Sequence, residues 1–266
     1  MLIVAERINA TRKPIREALE RKDEAFFIQE AKKQEAAGAH FIDVNAGTEA
    51  SQEIENLPWL VELIQDEVSI PLSLDSANDQ ALARALQVYN KKEVMINSFT
   101  AEEERIKAIL PLAKDYNALV VGLAMGKGGI PQTVEDRIKL VDELVEAVDY
   151  YKIEKDKLLV DPLVVPIGTD HYQGKVFLET VKAVKEKYNE VRTICGLSNI
   201  SYGMPNRKLL NRTFLVLALG YGLDASIMDP LDQEMMSGLY AALALLGYDE
   251  FCMNYLSAYR SGKLGS

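Results

Sequence analysis

The chain of 266 residues carries 30 Lys and Arg against 40 Asp and Glu, a formal net charge of −10, with 48% hydrophobic and 26% charged residues. That acidity argues against broad nucleic-acid binding, which needs a basic face to displace phosphate counterions, and no apolar run approaches the roughly 20 residues of a membrane span. The start, MLIVAERINATRKP, reaches Glu6 with no basic stretch ahead of its short apolar run, so it reads as a first strand rather than a secretory leader, and a cytoplasmic protein is expected.

Eight short β-rich apolar runs follow one another: LIVAE (2–6), HFIDVNA (40–46), IPLSLDS (70–76), EVMINS (93–98), ALVVGLAM (118–125), KLLVDPLV (157–164), RTICGLSN (192–199) and DASIMDP (224–230). Their length and composition suit strands buried on both faces. The longer segments between them repeat apolar residues at helical spacing. EEERIKAILPLAKDY (102–116) and TVEDRIKLVDELVEAVDYY (133–151) each present one stripe to a sheet and turn Glu and Lys to water. Eight alternations in one chain of this length predict an α/β fold, a single (β/α)8 TIM barrel over residues 1–266, rather than a doubly wound sheet, which uses fewer strands. Cys195 and Cys252 form no CxxC motif, and with His40 and His171 as the only histidines neither a zinc cluster nor a disulfide framework is suggested. Both cysteines are expected to be buried as small hydrophobes.

In such barrels chemistry sits at the C-terminal ends of the strands. There the chain places Glu6, Arg7 and Asn9; Asp43 and Asn45; Asp75, Ser76 and Asn78; Asn97 and Ser98; Met125 and Lys127; Asp161; Ser198 and Asn199; and Asp229. Asn78, Asp79 and Thr133 read as helix caps. Asp43, Asp75 and Asp161 lie too early in their runs for capping and should face one barrel mouth. Mg²⁺ on these oxygens is the alternative use, but no resident metal is expected, because His and Cys are missing from the set. A carboxylate accepts paired hydrogen bonds from an N–H/NH₂ edge, and Asn both donates and accepts, so the rim suits a flat, hydrogen-bond-rich heterocycle such as a pterin. GLAMGKGGIP (122–131) lacks phosphate-loop spacing and reads as a turn, while His171 is either a proton donor or a surface residue.

AERIN, DVNAG, SLDSAN, MINS, GLAMxKxGIP, DPLVVP and GLSNxSxxxxNRxLLNRTFL occur in this order along nearly the whole chain. In these motifs the chain resembles the pterin-binding methyltransferases that use methyltetrahydrofolate and a corrinoid protein. The resemblance implies a TIM-barrel homodimer that moves a methyl group between N5 of tetrahydrofolate and the cobalamin of a separate corrinoid protein. The family's pterin-anchoring residues fall on Asp75, Asn97 and Asp161, the Asn used near N5 falls on Asn199, and the Arg of its NR pair falls on Arg207. Glu6, Asp43, Asn45 and Ser198 complete the expected substrate-binding set. A tertiary amine is a poor leaving group, so Asn199 is expected to donate a hydrogen bond at N5, with the proton itself drawn from water because no general acid is evident there. Arg207, Lys208 and Arg212 offer local positive charge for a glutamate tail.

The chain departs from the corrinoid/iron-sulfur enzyme at Gly126, between Ser201 and Asn206, and in PIGTDHYQG after the sixth strand, all on loops expected to face the corrinoid partner. The direction of transfer is open: similar enzymes pass the methyl from a methylcorrinoid protein to tetrahydrofolate during demethylation of quaternary amines or aryl methyl ethers. Two other readings are a dihydropteroate synthase-like enzyme, for which the pyrophosphate site and its basic residues are missing, and a folate-binding protein that docks corrinoid modules without turnover.

Overall fold

The computed structural model describes residues 1–47 and 50–264. Eight parallel strands run β1 (Leu2–Asn9), β2 (Phe41–Asn45), β3 (Leu72–Asp75), β4 (Val94–Thr100), β5 (Leu119–Leu123), β6 (Leu158–Asp161), β7 (Arg192–Thr193) and β8 (Ala225–Met228). Around them lie α1 (Lys13–Glu20), α2 (Glu24–Ala36), α3 (Ala50–Gln65), α4 (Asp79–Val88), α5 (Glu103–Asp115), α6 (Val134–Tyr150), α7 (Gln173–Lys187), α8 (Arg207–Gly220), α9 (Gln233–Leu245) and α10 (Met253–Arg260). Neighbours pair in chain order from β1 to β7, and β1 also pairs with β8. The circle closes where Gly196 bridges Ile227 and the Ile227 amide donates to the Cys195 carbonyl at 2.8 Å. The fold is the expected (β/α)8 barrel.

Packing follows from the two periodicities. Helix α6 buries Val141, Leu144, Val145 and Val148 against the sheet. The Thr133 hydroxyl caps that helix, accepting the Asp136 amide at 3.1 Å. Asn78 likewise caps α4, whereas Asp79 is the first helical residue and pairs with Arg105 instead. Inside the barrel Val4, Phe41, Met95, Leu119, Val121, Leu159, Ile194 and Ala225 form an apolar plug. It floors the mouth.

Two sequence expectations need correction. The seventh strand was expected through Asn199, but it ends at Thr193, and Leu197–Ser201 forms a 3-10 helix. Ser198 and Asn199 are residue types whose side chains compete with ladder bonds, so the strand pattern of RTIC does not extend through GLSN. Cys195 is buried as expected, but Cys252 is exposed. It stands in the left-handed region with φ of 56°, on the turn before α10, which lifts it off the core.

Candidate active site

Strand register builds the first half of the site. Asn45 on β2 pairs with Asp75 on β3, which pairs with Asn97 on β4, so three polar side chains share one level across three strands. One pleat lower, Asp43 stands opposite Ser73. The Ser73 hydroxyl donates to Asp43 Oδ1 at 2.7 Å, and Asn97 Nδ2 reaches the same oxygen at 3.4 Å. Asn45 Nδ2 donates to Asp75 Oδ2 at 2.9 Å. The Asp43 and Asp75 carboxyls are hydrogen-bonded to each other. Burial raises both above the ordinary carboxylate range, and the neighbouring Asp75 charge raises Asp43 further.

The opposite wall comes from β1, β6 and the 3-10 turn. Register slips by one residue between Ala5 and Ile8, a bulge that contains Glu6 and Arg7. Bulges re-aim side chains, and here Glu6 faces the mouth while Arg7 pairs with Glu30 and Asp229, each at 2.9 Å. The Glu6 carboxyl is pushed up to about 7 by burial and by the charge of Asp229, although Ser198 donates a bond to it at 3.3 Å. Asp161 ends β6 and is pushed up to about 7 by burial, against the lowering effect of amide bonds from Leu163 and Gly196 and of the Arg137 charge. Asn199 lies over Gly196, close enough that a Cβ there would come within 3.1 Å of Asn199 Nδ2. Arg207, at the start of α8, donates to the Ser198 carbonyl at 2.8 Å and to the Ser201 hydroxyl at 3.1 Å, bracing the turn that carries Asn199.

These walls enclose a cavity of about 710 Å³, within the range that holds a small-molecule ligand. Glu6, Asp43, Asp75, Asn97, Asp161, Ser198, Asn199 and Arg207 all line it. Asn45 does not; its amide orients Asp75 from the side. Asn9, Arg12, Lys208, Asn211, Asp229 and Asp232 also line the mouth, beyond the expected substrate-binding set. Of these, Asn9 and Asp229 are among the strand-end candidates and Lys208 among the basic residues that the sequence marked, but Arg12, Asn211 and Asp232 lie on loops or helices with no such signal. Arg212 does not supply free charge, because Asp232, at 2.7 Å, and Glu234 hold it. Burial also leaves two mouth carboxyls, Glu6 and Asp161, pushed up to about 7, as candidate proton carriers beside water. His171 is a surface residue, its side chain 83% exposed, and Lys127 with Gly126 lines a separate outer cleft. Gly129, with φ of 79°, makes the expected turn in that segment.

Residues 5–229 match the pterin binding enzyme family. The chain is a pterin-binding enzyme. Along its length this pterin-binding enzyme is 35% identical over 267 residues to the methylcorrinoid:tetrahydrofolate methyltransferase of Eubacterium limosum, covering 100% of this chain and 98% of that one. It is 27% identical to methionine synthase of Mycobacterium tuberculosis over 86% of its own length, but spans only 20% of that larger protein. Among solved structures, dihydropteroate synthase of Yersinia pestis in complex with a sulfonamide drug superposes with a TM-score of 0.69 at 15% identity over 93% of both chains. The 7,8-dihydropteroate synthase of Vibrio fischeri gives 0.68 at 17% identity, over 92% of this chain and 93% of that one. At that identity the likeness is one of fold.

Proposed function

We propose that this pterin-binding enzyme transfers a methyl group between N5 of tetrahydrofolate and the cobalt of a separate corrinoid protein, and that in the cell it methylates tetrahydrofolate. The observation that carries the reading is the end-to-end match to a methylcorrinoid:tetrahydrofolate methyltransferase in a chain whose mouth gathers Asp75, Asn97, Asp161 and Asn199. Asp75 and Asp161 accept the N–H groups along the pterin edge, and Asn97 satisfies a mixed donor and acceptor position. Burial strengthens these bonds and penalises an analogue that leaves one unmade. Asn199 attends N5 and donates to it as charge redistributes. Glu6 is the mouth carboxyl that takes up the N5 proton when the amine is methylated and returns it in the reverse direction. The corrinoid, carried by the partner, supplies the cobalt that gives up or accepts the methyl.

Mixing the protein with tetrahydrofolate and methylcobalamin, and following both the cobalamin absorption and the formation of methyltetrahydrofolate, tests the reading. Methyl transfer is expected; folate binding with no transfer in either direction leaves the docking-protein alternative in its place. The low identity to the dihydropteroate synthases gives their reaction no separate support. The same reading keeps the expected cytoplasmic location and homodimer. A second copy fits the exposed apolar side chains along α8 to α10, where Leu217 is 48%, Leu245 88% and Phe251 84% exposed. Light scattering checks the mass.

A further inference from the structure

Two carboxyl groups are hydrogen-bonded to each other under the mouth, and the groups that act on them are Ser73, Asn97, Asn45 and Glu53, with no Lys or Arg among them. A bond between two carboxyls needs one proton, and two ionised carboxylates in contact without a cation repel each other in a low-dielectric setting. The geometry says which group keeps the proton. Asp43 is the deeper of the two, 2% exposed, with Oδ1 already accepting from Ser73 and Asn97. Asp75 is less buried, lies at the strand end, and is oriented at Oδ2 by Asn45. Glu53, itself held by the Ser76 hydroxyl at 2.6 Å, adds a second negative neighbour to Asp75.

We propose that Asp43 is a positioning residue that stays protonated and donates its proton as a hydrogen bond to Asp75, so that Asp75 meets the ligand as an anion in one fixed orientation. The proposal rests on reading this mouth as the pterin site, and it moves Asp43 from the ligand-contacting set to the support of Asp75. An un-ionised carboxyl presents one donor and one acceptor, which is also what an Asn amide presents in the same volume. Asp43→Asn therefore keeps the bond to Asp75 and accepts from Ser73 and Asn97 as before. Asp43→Ala removes the donor and leaves Asp75 held, among the described residues, by Asn45.

The test combines ligand affinity with infrared spectroscopy of the ligand-free protein. Tetrahydrofolate should bind Asp43→Asn within about threefold of wild type, and Asp43→Ala and Asp75→Asn about tenfold or more weaker, the scale of a lost hydrogen bond to a charged group. At pH about 8.5, above the range where Glu6 and Asp161 hold their protons, wild type should show the carbonyl stretch of a protonated carboxylic acid that Asp43→Asn lacks. Equal loss of affinity in Asp43→Asn and Asp43→Ala, or no acid band in wild type, overturns the proposal. If the band is present and wild type does not bind tetrahydrofolate, the protonated pair stands as a feature of this fold and the pterin reading fails instead. The infrared comparison needs no ligand, so the two failures are separable.

Discussion

The turn that carries Asn199 is braced at its backbone and open beneath the side chain. Arg207 fixes that backbone through the Ser198 carbonyl, and Gly196 leaves room beneath the Asn199 amide. A donor preorganised in this way acts on the transition state more than on the bound ground state. Asn199→Ala is expected to lower the methyl-transfer rate about 100-fold, or about 3 kcal/mol, with tetrahydrofolate affinity changed by less than about threefold. Asp161→Ala should do the reverse, weakening binding first. Single-turnover kinetics beside equilibrium titration separates the two, and equal losses in both quantities for both variants would remove the division of roles. Glu6 makes a further claim at this scale. With its pKa pushed to about 7, the rate of tetrahydrofolate methylation should rise with pH through that value as the carboxylate becomes able to take the N5 proton. Glu6→Gln should flatten this limb of the pH–rate profile, and a profile unchanged in the variant would assign the proton to another group.

At the scale of the elements, the turn after β7 shows what the sequence conveys and what it hides. The β-branched and Leu-rich runs marked all eight strands, because a strand buried on both faces has no other composition open to it. The carboxylates at their ends were legible for the same reason: a charged side chain inside such a run has no packing role. The end of β7 was not legible, since Gly196, Ser198 and Asn199 are as compatible with a strand end as with a 3-10 turn, and only the closure of Gly196 on Ile227 decides between them. Nor could the sequence show that Arg7 binds Asp229, 222 residues away, or that Arg212 is neutralised by Asp232 and Glu234. The first pairing exists only once the barrel closes, the second only once α9 packs beside α8. Gly196→Ala tests the turn directly. Its Cβ would stand 3.1 Å from Asn199 Nδ2, tight enough to displace the amide by a few tenths of an ångström. The variant should fold and bind tetrahydrofolate near wild-type strength but lose methyl-transfer rate, since a misplaced donor costs more in the transition state than in the complex. A rate within about twofold of wild type would show that Asn199 has slack.

For the molecule as a whole, the site opposes the stability of the fold. Asp43, Asp75, Glu6 and Asp161 are all raised above the ordinary carboxylate range by burial. A carboxyl that binds its proton more tightly when folded favours the folded state at low pH. That contribution is lost as pH climbs from the unfolded value near about 4 through the folded value, about 7 for Glu6 and Asp161. Glu30, Glu35, Asp142, Asp232 and Asp249 act the other way. Hydrogen bonds from Lys33 and Arg7, Ser69, Lys187, Arg212 and Asn254 offset their burial and hold them low, so their stabilisation is present above about pH 4 and fails below it. The two sets place the stability maximum of the ligand-free protein on the acid side of neutrality. Its melting temperature should fall from pH about 5.5 to about 8, and Asp161→Asn, which cannot ionise, should shed part of that slope and gain on the order of 1 to 3 kcal/mol at the upper end. Tetrahydrofolate should offset the loss, because its N–H edge binds the ionised Asp161, so the thermal shift it produces grows with pH in wild type and stays small in the variant. Thermal melts across this range, with and without the folate, measure both slopes. If Asp161→Asn keeps the wild-type slope and the wild-type shift, Asp161 is neither the buried charge that limits stability nor the anion that grips the ligand.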